Sequence, residues 1–255
     1  MKRTMKLAIK RIFGFAGLLA SLAMVAAAHA SLTPHEILKA ADEARGNVAG
    51  VSWQVSVQST ENNEVLDDMS YEIKARGFDV SGLSLAPPKS RGQKLLMLSS
   101  SMWFYKPGLS KPVPISQRQK LLGDAAYGDI ASTNYAEDYE ANQLPDETVD
   151  GDDCYVFDLK AKSDKTTYDR IKYWVSKKRL LGVMAEYYTV SGKKFKSSTM
   201  DYGNQIRVDG QVRPFISRIT FHSTLMNSDI TYLNLSNPQI SALPDYVFDL
   251  NLFMR

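Results

Sequence analysis

Residues able to do chemistry are scarce in this chain. Beyond the first thirty positions only His35, His222 and Cys154 remain of the histidines and cysteines, with no His-x-x-x-His pair, so a zinc site would have to lean on carboxylates. His35 sits at a helix start. His222 alternates with Ile219 and Phe221 and is expected to face solvent. Cys154, beside Tyr155 and Phe157, reads as a small packed apolar residue. Ser191 and Lys194 give an S-x-x-K match that spans an expected turn, and no nucleophile elbow, dinucleotide fingerprint or phosphate loop occurs. Glu137, Asp138, Glu140, Asp146, Glu147, Asp150, Asp152 and Asp153 form an acidic cluster without calcium-loop spacing, and a solvated charged edge or docking patch is the better reading. These residues predict no catalytic group, no cofactor and no metal.

The start of the chain is of another kind. Lys2, Arg3, Lys6, Lys10 and Arg11 precede an uncharged, mostly apolar stretch from Ile12 to Ala28, and Ala28-His29-Ala30 is a small-x-small cleavage signature. Residues 1–30 are expected to be an export signal cut near Ala30, which places the mature chain, residues 31–255, in the periplasm. Ser31 follows the cut, so the residue needed for lipid attachment, a cysteine, is not there. Of the 31 Lys and Arg residues, the five in the signal leave 26 against 28 Asp and Glu, a balance of −2, and nucleic-acid binding loses its electrostatic support. A single cysteine allows no internal disulfide, so packing alone must hold a single domain of this size.

The elements follow from periodicity. Pro34 to Arg45 reads as a helix with Thr33 as N-cap, Gly46 at its end, and Ile37, Leu38, Ala41 and Ala44 on one face. The period then becomes two. Val51, Trp53, Val55 and Val57 alternate with polar residues, as do Met69, Tyr71, Ile73 and Ala75, with Asn62-Asn63 as the turn between them. Short strands follow at 79–86, 91–98 and 101–106. Residues 111–141 fit short helical turns better than strands, with brief helices over Gln117–Leu122 and Ile130–Tyr135. Strand signals return at 154–161, 168–176, 181–190, 194–208, 212–223 and 229–235, with Asp150-Gly151, Ser191-Gly192 and Asp209-Gly210 as turns. The pattern predicts a mostly β chain with a few helices: an antiparallel meander curved into an unclosed barrel, its apolar face covered by the helices.

Several segments, taken in order, carry a resemblance: Arg45-Gly46, Pro87 with Arg91-Gly92, Met102 to Pro107 (Met-Trp-Phe-Tyr-Lys-Pro), and Val149-Asp150-Gly151 before Cys154-Tyr155. Over roughly residues 32 to 235 the chain resembles the outer-membrane lipoprotein-sorting, or LolA-like, family. The resemblance implies a β half-barrel with a helical lid over a hydrophobic cavity for acyl chains, without catalytic residues or cofactor. Carriers of that family place an arginine just before the proline of an early strand, where this chain has Ala86. That departure implies kinship with divergent relatives associated with lipid exporters of the resistance-nodulation-division type, and a free lipid as cargo.

Strand parity and the resemblance together nominate cavity-lining residues: Val51, Trp53, Val55, Tyr71, Ile73, Leu96, Leu98, Trp103, Tyr105, Tyr173, Val175, Val183, Phe215, Ile219 and Phe221. The expected function is a monomeric periplasmic carrier that shields a lipid or acylated ligand between an inner-membrane exporter and an outer-membrane acceptor. The alternative is a lipid-sensing regulator of envelope stress that uses the same cavity. About twenty residues follow Leu235, too few for a separate partner-binding domain, which favours the carrier.

Overall fold

A computed structural model describes residues 32–254 apart from 63, 67, 132, 133 and 225–228. The expected signal, its cleavage site and Asn63 of the expected turn lie outside the described residues.

Helix α1 (Pro34–Glu43) begins where the sequence places it, because Thr33 and Glu36 form a reciprocal cap. The Glu36 backbone N–H donates to Thr33 Oγ1, and the Thr33 backbone N–H donates to the Glu36 carboxylate. Ile37, Leu38 and Ala41 are buried on one side.

Fourteen strands build one antiparallel sheet: β1 (Val51–Glu61), β2 (Glu64–Val65), β3 (Met69–Arg76), β4 (Asp79–Ala86), β5 (Lys94–Leu98), β6 (Ser101–Tyr105) and β7 (Val113–Ile115), then, after two small elements β8 (Lys120–Leu122) and β9 (Ala125–Ala126), β10 (Tyr139–Val149), β11 (Asp152–Ala161), β12 (Arg170–Ser176), β13 (Gly182–Tyr188) and β14 (Lys194–Asp201). A separate hairpin, β15 (Asn204–Val208) and β16 (Gln211–Phe215), precedes β17 (Arg218–Ser223) and β18 (Ile230–Ile240), which complete the sheet. The order is β10-β11-β12-β13-β14-β17-β18-β1-β3-β4-β5-β6-β7, with β2 paired to β1, and the sheet does not close on itself. Helices α2 (Tyr127–Ala131) and α3 (Tyr135–Asp138) lie between β9 and β10.

The loop after β7 ties distant parts of this sheet together. Gln117 donates to the Ser100 carbonyl and accepts from the Thr167 hydroxyl, while Arg118 donates to the Thr166 carbonyl at 2.8 Å and pairs with Asp169 at 2.7 Å. The sheet therefore curls until the β5–β6 turn and the β11–β12 loop share one segment. A single apolar cluster fills the inside of the curl, from Val51 and Tyr71 through Tyr173 and Val175 to Phe221 and Leu233, joined by the apolar side of α1. Among the described residues no helix is long and apolar enough to cross a membrane.

Four expectations are corrected. Gln117–Leu122 is not a helix: Lys120–Leu122 pairs with Ala125–Ala126 across a turn in which Gly123 takes φ +55°, and its backbone lies against Ser59 and Thr231, where a Cβ would overlap both hydroxyls. The helix expected over Ile130–Tyr135 is two short ones, α2 and α3, and residues 132 and 133 between them lie outside the described set. Residues 139–141, expected within the segment of short helical turns, join residues 142–149, for which no element is expected, in the long edge strand β10. The run 194–208 is broken at Tyr202-Gly203 and 212–223 at Ile216-Ser217, because the β15–β16 hairpin leaves the sheet and docks by the Ile216 N–H on the Ala44 carbonyl at 2.9 Å.

Candidate functional site

The inner face of the sheet is the place where an apolar ligand could be held, and it is covered. Helix α1 and the segment from β8 to α3 lie over it. Each is fastened by polar side chains that reach into an otherwise apolar interior.

The first fastening joins α1 to α3. Asp42, fully buried, accepts the Ala136 backbone N–H through Oδ2 at 2.9 Å, and Asn47 donates to Asn134 Oδ1 at 3.0 Å. Burial pushes the Asp42 carboxyl up to about 7, opposed by the Ala136 N–H and by the Arg45 charge. Arg45 is 3% exposed and stacks over the Tyr135 ring, 4.7 Å from its centroid. Tyr135 in turn meets Tyr173 and Tyr139 edge-on. At the rim, His35 bonds Glu137 at 2.8 Å between half-exposed side chains.

The second fastening holds α2. Lys196 on β14 donates to the Asp124 carbonyl at 2.6 Å and to Asp129 Oδ2 at 3.2 Å, and Asp129 also accepts from the Tyr168 hydroxyl at 2.6 Å and the Ala126 N–H at 2.8 Å. Lys196 is 2% exposed and packs on the rings of Phe221, Tyr168 and Tyr187. Burial pushes its ammonium down, and Asp129 opposes that shift. The pair stays paired because every Asp129 oxygen has a donor.

Between these fastenings, β1, β17, β18 and α2 enclose a cavity of about 10 Å³, room for about one water molecule. Its walls are mostly aliphatic, including Val55, Ile130, Ile219 and Leu233, with Arg45, Trp53 and Asp129 also bordering it. Arg45 Nε and Nη1 and Trp53 Nε1 have no hydrogen-bond partner among the described residues, and neither do the hydroxyls of Tyr173 and Tyr202.

Of the nominated residues, the structure brings ten together on this inner face: Val51, Trp53, Val55, Tyr71, Ile73, Tyr173, Val175, Phe215, Ile219 and Phe221 all belong to the one cluster. They pack against one another and α1, with Trp53 edge-on to Phe215 at 5.8 Å, and the cavity of about 10 Å³ that they border is far too small for an acyl chain with the helices in place. The remaining five lie elsewhere. Leu96, Leu98, Trp103 and Tyr105 alternate with the inner Leu95, Met97, Met102 and Phe104, and so point to the outer face. There Tyr105 meets Phe253 of the C-terminal segment edge-on, and Lys94 donates to the Phe253 carbonyl. These four share one face, but nothing in an alternating run with apolar residues on both sides says which side is inside. Val183 fails for another reason. A bulge between β12 and β13 pairs Trp174 with Met184 but Val175 with Gly182, so Val183 is the extra residue and packs by Cys154, Val156 and Trp174 on the outer face.

The acidic cluster is spent on the sheet edge. Glu147 binds Lys172 and the Trp174 indole N–H, Asp146 pairs with Lys177, and Asp152 pairs with Arg179. Among the described residues no group of three or more potential metal ligands assembles. Asp42, Arg45, Asp129 and Lys196, which organise the interior, were not among the nominated residues. Lys196 had the clearest signal, since it shares its strand face with Ser198 and the apolar Met200.

Comparisons agree with this architecture. A family model described only as an uncharacterized protein matches residues 83–255. No curated protein matches the sequence. Among solved structures, a DUF1329 family protein from Desulfovibrio piger is 20% identical with a TM-score of 0.72, covering 86% of this chain and 97% of that one. A domain described as outer membrane lipoprotein-sorting, from Vibrio parahaemolyticus, is 18% identical with a TM-score of 0.72 over 87% of this chain and 98% of that one. These two share the fold. A LolA superfamily protein from Nitrosomonas europaea is 30% identical with a TM-score of 0.77, covering 87% of this chain and 99% of that one. With that identity over nearly all of the Nitrosomonas protein, this chain belongs to the LolA superfamily.

Proposed function

We propose that the protein is a non-enzymatic carrier that takes a lipid or acylated ligand against the inner face of its half-barrel, beneath α1, α2 and α3. The observation that carries this reading is the contrast between that face and its cover. The face is one continuous apolar surface, whereas α3 is held to α1 by a few polar contacts, Asp42 to Ala136 and Asn47 to Asn134 among them. Lifting the cover exchanges protein contacts for ligand contacts, and burial of an acyl chain supplies about 25 cal/mol for each Å² removed from water. The outer membrane lipoprotein-sorting domain of the same fold supports the assignment to this class.

In this reading residues 1–30 are an export signal, residues 31–255 act as a monomer in the periplasm, and cargo passes from an inner-membrane exporter of the resistance-nodulation-division type to an outer-membrane acceptor. The test is to purify the protein natively, extract it with solvent and identify what is released by mass spectrometry. Hydrogen exchange across residues 116–138 is then compared with and without ligand. Co-purifying lipid together with changed exchange in that segment is expected. A protein that binds no amphiphile from a broad lipid panel is not a carrier.

A further inference from the structure

Arg45 is a buried cation whose donors are not all used. Its guanidinium stays protonated at any working pH, yet it forms no ion pair among the described residues, and Nε and Nη1 have no hydrogen-bond acceptor. Asp42, one turn earlier, feels the Arg45 charge, but it commits Oδ2 to Ala136 and its Oδ1 makes no hydrogen bond to the guanidinium, and Asp129, which also borders the cavity, is saturated by Tyr168, Ala126 and Lys196. A buried charge left unpaired is costly. The Trp53 indole N–H, on a side chain 4% exposed, is also without an acceptor among the described residues, and both residues border the same enclosed cavity. The rest of that cavity is largely aliphatic: Val55, Ile130, Ile219 and Leu233 among others.

A cation and a second donor on the wall of one largely aliphatic cavity match one kind of ligand, an apolar chain that ends in a small anion. We propose that Arg45 and Trp53 form the head-group site of the carrier, and that its ligand is a single-chain amphiphile ending in a carboxylate, a fatty acid. The carboxylate supplies the missing counter-charge and accepts from the guanidinium and the indole. The chain runs along the inner face once α2 and α3 lift. One guanidinium and one indole suit a compact monoanion, whereas a phosphate head brings more charge and more acceptor oxygens than these donors can satisfy. The inference rests on the carrier reading and adds the class of head group.

The test is displacement of a fluorescent fatty-acid probe from the mature chain by dodecanoate, dodecanol and dodecyl phosphate. Dodecanoate should compete about tenfold or more better than dodecanol, the size expected of hydrogen bonds to a buried charge. In Arg45→Met the two should compete equally, with dodecanol unchanged, and Trp53→Phe should narrow the gap. Should Arg45→Met fail to fold, the carboxyl ¹³C resonance of labelled dodecanoate on the unaltered protein decides. It is expected to keep its ionised position when the pH is lowered to about 4, where the free acid is largely protonated, as pairing with a buried cation requires. Equal competition by dodecanoate and dodecanol, a preference that survives Arg45→Met, or a bound carboxyl that titrates like the free acid would overturn the head-group site. A preference for dodecyl phosphate would overturn the choice of carboxylate. If dodecanol and dodecanoate both fail to displace the probe and neither binds directly, the carrier reading itself falls, and the head-group site with it.

Discussion

The Asp42 carboxylate accepts the Ala136 backbone N–H at 2.9 Å, a contact between residues 94 apart in sequence that joins α1 to α3 over the inner face. The other Asp42 oxygen has no partner among the described residues, and burial raises the group to about 7 from an ordinary value of 3.8. Between those values the native protein holds a proton that the unfolded chain has released. Stability on this account is greatest below about pH 4, falls as pH rises through about 7, and then levels off. Asp42→Asn should remove most of that slope, which amounts to about 4 kcal/mol across the interval. Urea unfolding from pH 4 to 8 measures it, and parallel slopes in the two proteins would contradict the assignment.

Asp129 and Lys196 form a buried pair, and its two halves should not behave additively. Asp129→Ala leaves an unpaired ammonium and Lys196→Met an unpaired carboxylate, each expected to cost about 3–5 kcal/mol. The double substitution should cost less than the sum by about 1–3 kcal/mol in a thermodynamic cycle. Strict additivity would mean that the pair contributes nothing as a pair.

Val175 and Val183 distinguish the faces of the sheet. Val175 is fully buried in the inner cluster, and Val175→Asp is expected to unfold the protein or lower its stability by several kcal/mol. Val183 is partly exposed at the outer bulge, so Val183→Asp should cost under about 1.5 kcal/mol and leave amphiphile binding intact. Thermal melting of the two variants side by side checks this. Loss of ligand uptake in a folded Val183→Asp would return that residue to the inner face.

Gly182 is required by its neighbour. A Cβ at this position would lie 1.7 Å from the Tyr173 hydroxyl oxygen, so Gly182→Ala must displace a fully buried ring, at a cost of about 1–3 kcal/mol. The Tyr173 hydroxyl has no partner among the described residues, so Tyr173→Phe should be neutral or stabilising. Chemical denaturation midpoints test both. A destabilised Tyr173→Phe would show that the hydroxyl is bonded.

Local sequence determined what local chemistry can encode. The reciprocal Thr33–Glu36 cap, the alternation of Val51 to Val57, and the turn glycines at 151, 192 and 210 specified the first helix and most of the strands without help from distant residues. The order of motifs around Trp103-Phe104-Tyr105 sufficed to place the chain near its superfamily. Edge strand β10 was hidden because neither of its faces is continuously covered, so its residues carry no alternating apolar signal. The inner side of β5 and β6 was equally illegible: both faces of those strands are apolar, and only the C-terminal segment lying on one of them settles which is outside.

The interior chemistry belonged to tertiary structure alone. Asp42, Arg45 and Asp129 are charged residues that look solvated in any local window, and Lys196 carries only the signal of the strand face it shares with Met200. They are buried because residues 67 positions away, for Lys196 and Asp129, or 94 away, for Asp42 and Ala136, arrive to satisfy or surround them. A one-residue bulge opposite Val175 likewise reversed Val183, since the register of a strand is fixed by its partner and not by its own sequence. Periodicity reports which residues share a face; the approach of distant segments decides which face is inside and which charges must find their partners there.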